Sequence, residues 1–424
     1  MNNAVVFGGL GPPARNARGW LCRRGGRPIQ WTAGLSLLAA LASPAHEAAA
    51  IPAWARKYNM NCSSCHFPVV PRLSATGLMF KWAGYRMPNE IGEKMEVRKI
   101  EEYMAAQAVV QHNYAKTDGQ SVEVNAISVP SASLYVGGPL GTNYGAFVQF
   151  ERGPSGGIDL IAQLAGAWGD ESRFGSVRVG TGHALAGGMV AGFDRATGIL
   201  QPLAIAGPVT AAIPFMYGGD ATELEFSLVL DGRNRTSVQI LNGLASPTAA
   251  AGSSTTQMDF GVTNQFIWGK HGDGVTATAN IGSITGLDAS ATTAVSDYYR
   301  LALSANKWIS NFELVGGYVY GKDSKLPVGG ASPFASASLT GTGYWVSGLY
   351  AFPTSFVSVY GRYEGIDPDR DVTNGGIRRV VFGGIVPVIG PPYLRLAVEF
   401  FLDMPQLPGA PKRQGVTTEL QFNF

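Results

Sequence analysis

The 424-residue sequence is short of charge, with Asp, Glu, Lys and Arg at 15% against about 25% in ordinary soluble domains. Aromatic residues at 10% and hydrophobic residues at 46% exclude a disordered chain, which needs low hydrophobicity and high net charge. The Ala/Glu/Lys/Leu bias of coiled coils and helical bundles is missing. Basic charge is also scarce outside the start of the chain. Five of the 32 Lys and Arg and one of the 30 Asp and Glu fall in residues 1–50, which leaves 27 bases against 29 acids beyond them. No basic field remains to hold nucleic acid. The sequence has no G-x-x-x-x-G-K-[ST], H-E-x-x-H or G-x-S-x-G, and no apolar run long enough for a membrane-spanning helix. What is abundant is glycine, 56 residues, about twice ordinary usage. Such a chain is either a large β-protein or one that meets lipid.

Residues 1–50 read as a secretory signal. Arg15, Arg18, Arg23, Arg24 and Arg27 precede an apolar core at 31–42 (WTAGLSLLAALA), and small-residue cleavage sites follow at 40–42 and 48–50. Cleavage at the second starts the mature chain near Ile51 and removes Cys22 and His46.

Only Cys62 and Cys65 then remain, in Cys62-Ser63-Ser64-Cys65-His66. C-x-x-C-H is the pattern of covalent c-type haem attachment. Two thiols add across the two vinyl groups of one haem, and the adjacent His lies under the iron as the proximal ligand. Haem is attached after export, in agreement with the signal. A redox C-x-x-C belongs in a βαβ setting that is absent here. Zinc needs a fourth ligand at close spacing, and a plain disulfide has no use for His66. For the distal ligand the candidates are Met60, Met79, Met87, Met95, Met104 and His112. Met87 is the best placed: a short helical stretch at 74–82 precedes it, and Pro88 fixes the loop that presents its sulfur. A five-coordinate haem is the other option.

Tyr58, Cys62, Cys65, His66, Pro71, Leu73, Gly77, Phe80, Gly84 and Tyr85 are spaced as in the haem segment of the outer-membrane monohaem porin–cytochrome fusions, the outer-membrane cytochromes c of iron-oxidising bacteria. The segment resembles that family over about forty residues and departs from it at Ser74, where Asn is usual. The resemblance implies a small haem domain joined to an outer-membrane barrel, with extracellular Fe(II) as electron donor.

Beyond about residue 100 the pattern changes to period-two alternation broken by Gly, Asp, Asn, Pro and Ser turns, the mark of strands. Leu394, Leu396, Val398, Phe400 and Leu402 oppose Arg395, Ala397, Glu399 and Phe401. Leu224, Phe226 and Leu228 oppose Glu223, Glu225 and Ser227; Val359 and Tyr363 oppose Tyr360, Arg362 and Glu364. About sixteen strands begin near residues 101, 124, 143, 157, 173, 222, 236, 255, 274, 296, 311, 340, 355, 376, 392 and 415. Connections after odd strands are mostly long and those after even strands mostly short, as in bacterial outer-membrane barrels with a periplasmic N-terminus. The chain ends GVTTELQFNF, an ending that looks like the recognition signal of such barrels. Tyr298, Tyr299, Trp308, Tyr318, Tyr320, Tyr344 and Trp345 are candidates for interfacial girdles. The stretch 186–221 either hides two more strands or folds inward as a constriction. Asp367, Asp369 and Asp371 lie in an acidic loop with a weak claim on Fe(II); His183 and His271 carry no clear role.

The expected organisation is a signal peptide (1–50), an α/irregular monohaem cytochrome c domain (51–100) and a transmembrane antiparallel β-barrel (101–424), giving a mainly β chain in the outer membrane of a Gram-negative bacterium. The expected activity is one-electron oxidation of an extracellular donor, Fe(II) by the resemblance, at one covalent haem c. The electron acceptor is then a periplasmic cytochrome or copper protein; outer-membrane lipid is the other partner, and nucleic acid is not one. An Fe(II)-oxidising cytochrome is the only enzyme class in view. Two other readings stay open: a porin whose haem is structural or redox-sensing, and a soluble periplasmic cytochrome with a β-rich appendage.

Overall fold

The computed structural model describes residues 53–424 apart from 69, 98, 122, 154–156, 183–187, 193–197, 207–220, 243–254, 257, 288–292, 325–337, 354–356, 372 and 390–392. The signal region, Cys22, His46 and His183 therefore lie outside the described residues.

Residues 104–424 form one closed antiparallel barrel of sixteen strands. These are β1 Met104–Thr117, β2 Val124–Leu140, β3 Tyr144–Arg152, β4 Ile158–Gly169, β5 Phe174–Gly182, β6 Ala221–Leu230, β7 Asn234–Asn242, β8 (Thr255–Thr256 with Met258–Trp268), β9 Asp273–Leu287, β10 Thr293–Ile309, β11 Phe312–Asp323, β12 Leu339–Ala351, β13 Ser358–Asp367, β14 Ile377–Ile389, β15 Leu394–Pro405 and β16 Arg413–Asn423. The two stretches of β8 pair with the same neighbour, β9, and count as one strand. Each strand pairs with its sequence neighbour, and β1 closes on β16, from Gln107↔Asn423 to Thr117↔Arg413. Closure leaves no open edge, which lipid has no means of satisfying. The starts fall within three residues of those expected from the alternation.

The faces are inverted relative to a soluble protein. Glu223, Glu225, Arg235, Gln239, Arg362, Glu364 and Glu399 are buried, whereas Phe226, Leu228, Val238, Phe260, Leu303, Val359 and Phe382 are exposed. Polar side chains therefore line the inside, and a continuous apolar surface faces outward. A soluble β-sandwich does not expose such a surface; a lipid-facing barrel does. The soluble-appendage reading falls on this observation. No helix of the described residues is long and apolar enough to cross a membrane.

Inward charges are held in pairs. Arg235 meets Glu225, Arg300 Nη1 lies 2.6 Å from Asp323 Oδ1, and Arg395 Nη2 lies 2.8 Å from Glu419 Oε1. Removal from water is tolerable for these ions because each has an opposite charge, and Arg235, Glu225, Arg300, Arg395 and Glu419 have further hydrogen bonds. Turn chemistry fits the topology. In the turn from β6 to β7, Asp231 (φ +54°) and Gly232 (φ +57°) are both left-handed, and Arg233 N donates to Leu230 O at 3.0 Å. Two positive φ values give the mirror-image turn that follows strand twist.

The expected girdle divides. Tyr299 and Tyr318 are outward and exposed, but Tyr298, Trp308 and Trp345 are buried on the lumen face. Period two decides this: position 298 shares a face with Arg300, and 299 with Leu301. Within 186–221, the described residues before Ala221, where β6 begins, form no strand. They turn into the lumen, where Met189, Val190, Leu203 and Ile205 pack against Val315, Val319 and Trp345. Barrel carboxylates anchor this stretch: Leu200 N donates to Glu399 Oε1 at 2.9 Å and Leu203 N to Glu364 Oε2 at 2.8 Å.

Candidate functional site

Residues 53–103 form one compact unit with the barrel. They comprise α1 (Ala53–Tyr58), α2 (Ala75–Trp82) and three 3-10 turns (Cys62–Ser64, Pro88–Glu90 and Ile100–Glu102). The segment lies in the barrel end that carries the short turns. Phe67 stacks on His271 of the turn after β8, with ring centroids 3.9 Å apart, and meets the edge of Trp308 at 4.9 Å. Leu78 and Trp82 pack with Ala167, Phe174, Val229 and Ile267 of the wall. Trp54 Nε1 donates to Gly137 O of β2 at 2.7 Å. Short turns face the periplasm in bacterial barrels, so the segment occupies the periplasmic half of the lumen.

The cysteine motif is shaped by its own backbone. Cys65 N and His66 N both donate to Cys62 O, at 3.1 and 2.7 Å, which curls the five residues into one turn. Ser74 caps α2, accepting from Gly77 N, and its hydroxyl donates to Ser64 O at 2.7 Å. Gly77 is needed for this approach: a Cβ there would stand 2.4 Å from Cys65 O. The helix is thereby laid directly on the motif.

Cys62, Cys65 and His66 line one cavity of about 520 Å³, within the roughly 300–1,000 Å³ range of cofactor sites. Trp54, Phe80, Tyr85 and Phe147 line it too. Trp54 contacts Phe80 at 4.8 Å, and Tyr85 stacks on Phe147 at 5.5 Å, so segment and wall build a largely apolar, aromatic enclosure together. Neither cysteine is in a disulfide. Burial pushes both thiols up to about 11, whereas a reactive redox pair has a depressed thiol. His66 Nδ1 lies 3.3 Å from Pro71 O. With Nδ1 protonated to donate there, Nε2 carries the lone pair that a metal takes. Thiols, imidazole and an apolar enclosure of this size fit a covalently attached haem.

Of the candidates for a distal ligand, Met60 and Met87 line the cavity. Met79 lies against Gly232, Met95 pairs with Gly141, Met104 opens β1, and His112 Nε2 is 2.8 Å from Asn125 Oδ1. In the acidic loop after β13, Asp371 N donates to Asp369 Oδ1 at 3.0 Å. Among the described residues no three His, Cys, Asp or Glu are grouped to hold a metal. Arg72, Arg86 and Glu90, which fix the segment, were not legible in the sequence; a buried arginine looks like any surface one.

The barrel is similar to solved outer-membrane barrels. Salmonella typhi OmpF, solved in complex with daunomycin, aligns at a TM-score of 0.55 and 13% identity over 76% of this chain and 97% of that one. The outer-membrane channel DcaP of Acinetobacter baumannii aligns at 0.53 and 12% over 76% and 96%. An anion-selective porin from Comamonas acidovorans aligns at 0.52 and 13% over 76% and 98%. No family model and no curated protein matches the chain. The fold is thus that of an outer-membrane porin, and the haem half of the expectation rests on the residues of the segment alone.

Proposed function

We propose that this chain is an electron-transfer protein of the outer membrane. In this reading Cys62 and Cys65 tether one haem c, His66 is its proximal ligand and Met87 its distal one. A bound haem supplies a one-electron couple. The donor is extracellular, Fe(II) by the resemblance of the segment, and the acceptor is a periplasmic cytochrome or copper protein. One observation carries the reading: Cys62, Cys65 and His66 converge on a single aromatic cavity built jointly by the N-terminal segment and the barrel wall.

The residues have separable tasks. The Pro71 carbonyl orients the imidazole, and the aromatic side chains exclude water. Asn59, Asn61 and Ser63 are exposed beside Cys62, which leaves the tethering loop within reach of a soluble carrier. No general acid or base is required.

The porin fold supports a second reading, a transport channel whose haem is structural or redox-sensing. Likeness to known porins and channels favours it on the fold alone; the lumen packing of 53–103 and of Met189, Val190, Leu203 and Ile205 weighs against an open pore. Two measurements on purified protein separate the readings. Electron transfer requires a haem that Fe(II) reduces in detergent, and low liposome conductance. A high, nonselective conductance together with a haem that Fe(II) leaves oxidised supports the channel.

A further inference from the structure

Glu90 reaches back over its own turn. Its Oε2 accepts from the backbone N of Met87 at 3.0 Å and from the hydroxyl of Tyr58 at 2.7 Å. The turn is closed a second time by Glu90 N donating to Met87 O at 2.9 Å, and Pro88 fixes its first φ. One carboxylate oxygen therefore ties the residue carrying the candidate sulfur to α1, whose Trp54 and Tyr58 also line the cavity. Arg86, wholly buried, fixes the same loop to the barrel. Its guanidinium donates to Glu90 O at 3.1 Å, to Leu140 O at 3.4 Å, and to the carbonyls of Thr142 and Tyr144 around the turn between β2 and β3.

We infer that Glu90 is a positioning residue for the distal iron ligand: its carboxylate holds the Met87 backbone at the cavity wall and thereby sets how firmly the thioether binds iron. The inference rests on the haem reading above. A methionine ligand raises the haem potential relative to a second histidine. Loosening the loop thus has an electronic consequence as well as a mechanical one. Both donors use the same oxygen, so an amide carbonyl is able to accept from both. Charge at position 90 is dispensable on this account, and an acceptor is not.

The test uses full-length haem-loaded protein in detergent, with the sulfur-to-iron charge-transfer band of the oxidised haem and the midpoint potential as readouts. In Glu90→Gln both stay at wild-type values. In Glu90→Leu the band is lost and the potential falls. Glu93→Leu, three residues on at an exposed position, leaves both unchanged. If Glu90→Leu does not fold, Tyr58→Phe removes one donor from the clamp; a weakened band supports the inference and an unchanged one overturns it. A band retained in Glu90→Leu, a band lost equally in Glu90→Gln, or a wild-type haem that shows no such band each overturns it while leaving the haem reading intact. A wild-type chain without haem removes the reading itself.

Discussion

Arg72 of the N-terminal segment and Glu313 of β11, 241 positions apart in sequence, form an ion pair inside the barrel with neither side chain exposed. Asn306 Nδ2 donates to the same Glu313 oxygen at 2.6 Å. Taking one partner away strands a buried charge, at a cost of about 3–5 kcal/mol, whereas replacing both with apolar residues costs far less. Arg72→Leu or Glu313→Leu alone is therefore expected to loosen the segment, lower the unfolding temperature and raise conductance in planar bilayers. The double variant is expected to recover much of both. Single variants that stay as closed and as stable as wild type would show that this pair is not what holds the segment.

His271, stacked on Phe67, gives a second contact between segment and barrel a pH dependence. Burial first, and Lys270 second, hold its imidazole below the ordinary range, with Asp273 acting the other way. Its ordinary value is about 6.5. The unfolded chain takes up the proton at higher pH than the folded one, so this contribution is fully present above that value and is lost as pH falls through the lower folded value. Unfolding temperature in detergent, followed by circular dichroism, is expected to fall on acidification more steeply in wild type than in His271→Phe, which keeps the stack on Phe67. Parallel profiles would contradict the assignment.

Position 226 reports on the membrane face. Phe226 is exposed mid-strand in β6, while its neighbour Glu225 is buried and paired with Arg235. Phe226→Arg is expected to destabilise the barrel by roughly 2–4 kcal/mol, the cost of Arg near the bilayer midplane, measured by refolding into vesicles. A smaller change than in Phe422→Arg, near the C-terminal end of β16, would place 226 outside the lipid band.

Met87 is accessible to a direct test as well. Met87→Ala is expected to abolish the sulfur-to-iron band and lower the potential, with Met60→Ala leaving both in place. The reverse result would move the distal ligand to Met60, which also lines the cavity.

Much of this architecture was legible because it is local. Alternation at 223–228 and 394–402 assigns each side chain to a face, and alternating loop lengths assign the ends. The C-x-x-C-H spacing is likewise read from five adjacent residues. What escaped was long-range. Nothing near Arg72 names Glu313 as its partner, and nothing near Tyr85 indicates that its hydroxyl reaches Gln163 of β4. Trp308 and Trp345 looked like girdle residues by type; only strand phase places them inside. The joint cavity was hidden for the same reason, since Phe147 contributes from the barrel while Trp54 and Phe80 contribute from the segment.

The mass of the mature chain, purified from outer membranes in its native host, bears most directly on the haem assignment. The expected result is one haem added covalently, on the tryptic peptide that contains Cys62 and Cys65, and absent from Cys62→Ala/Cys65→Ala. A colourless protein of unmodified mass, with both thiols free to alkylate, would contradict it and leave a porin-fold barrel without a redox centre.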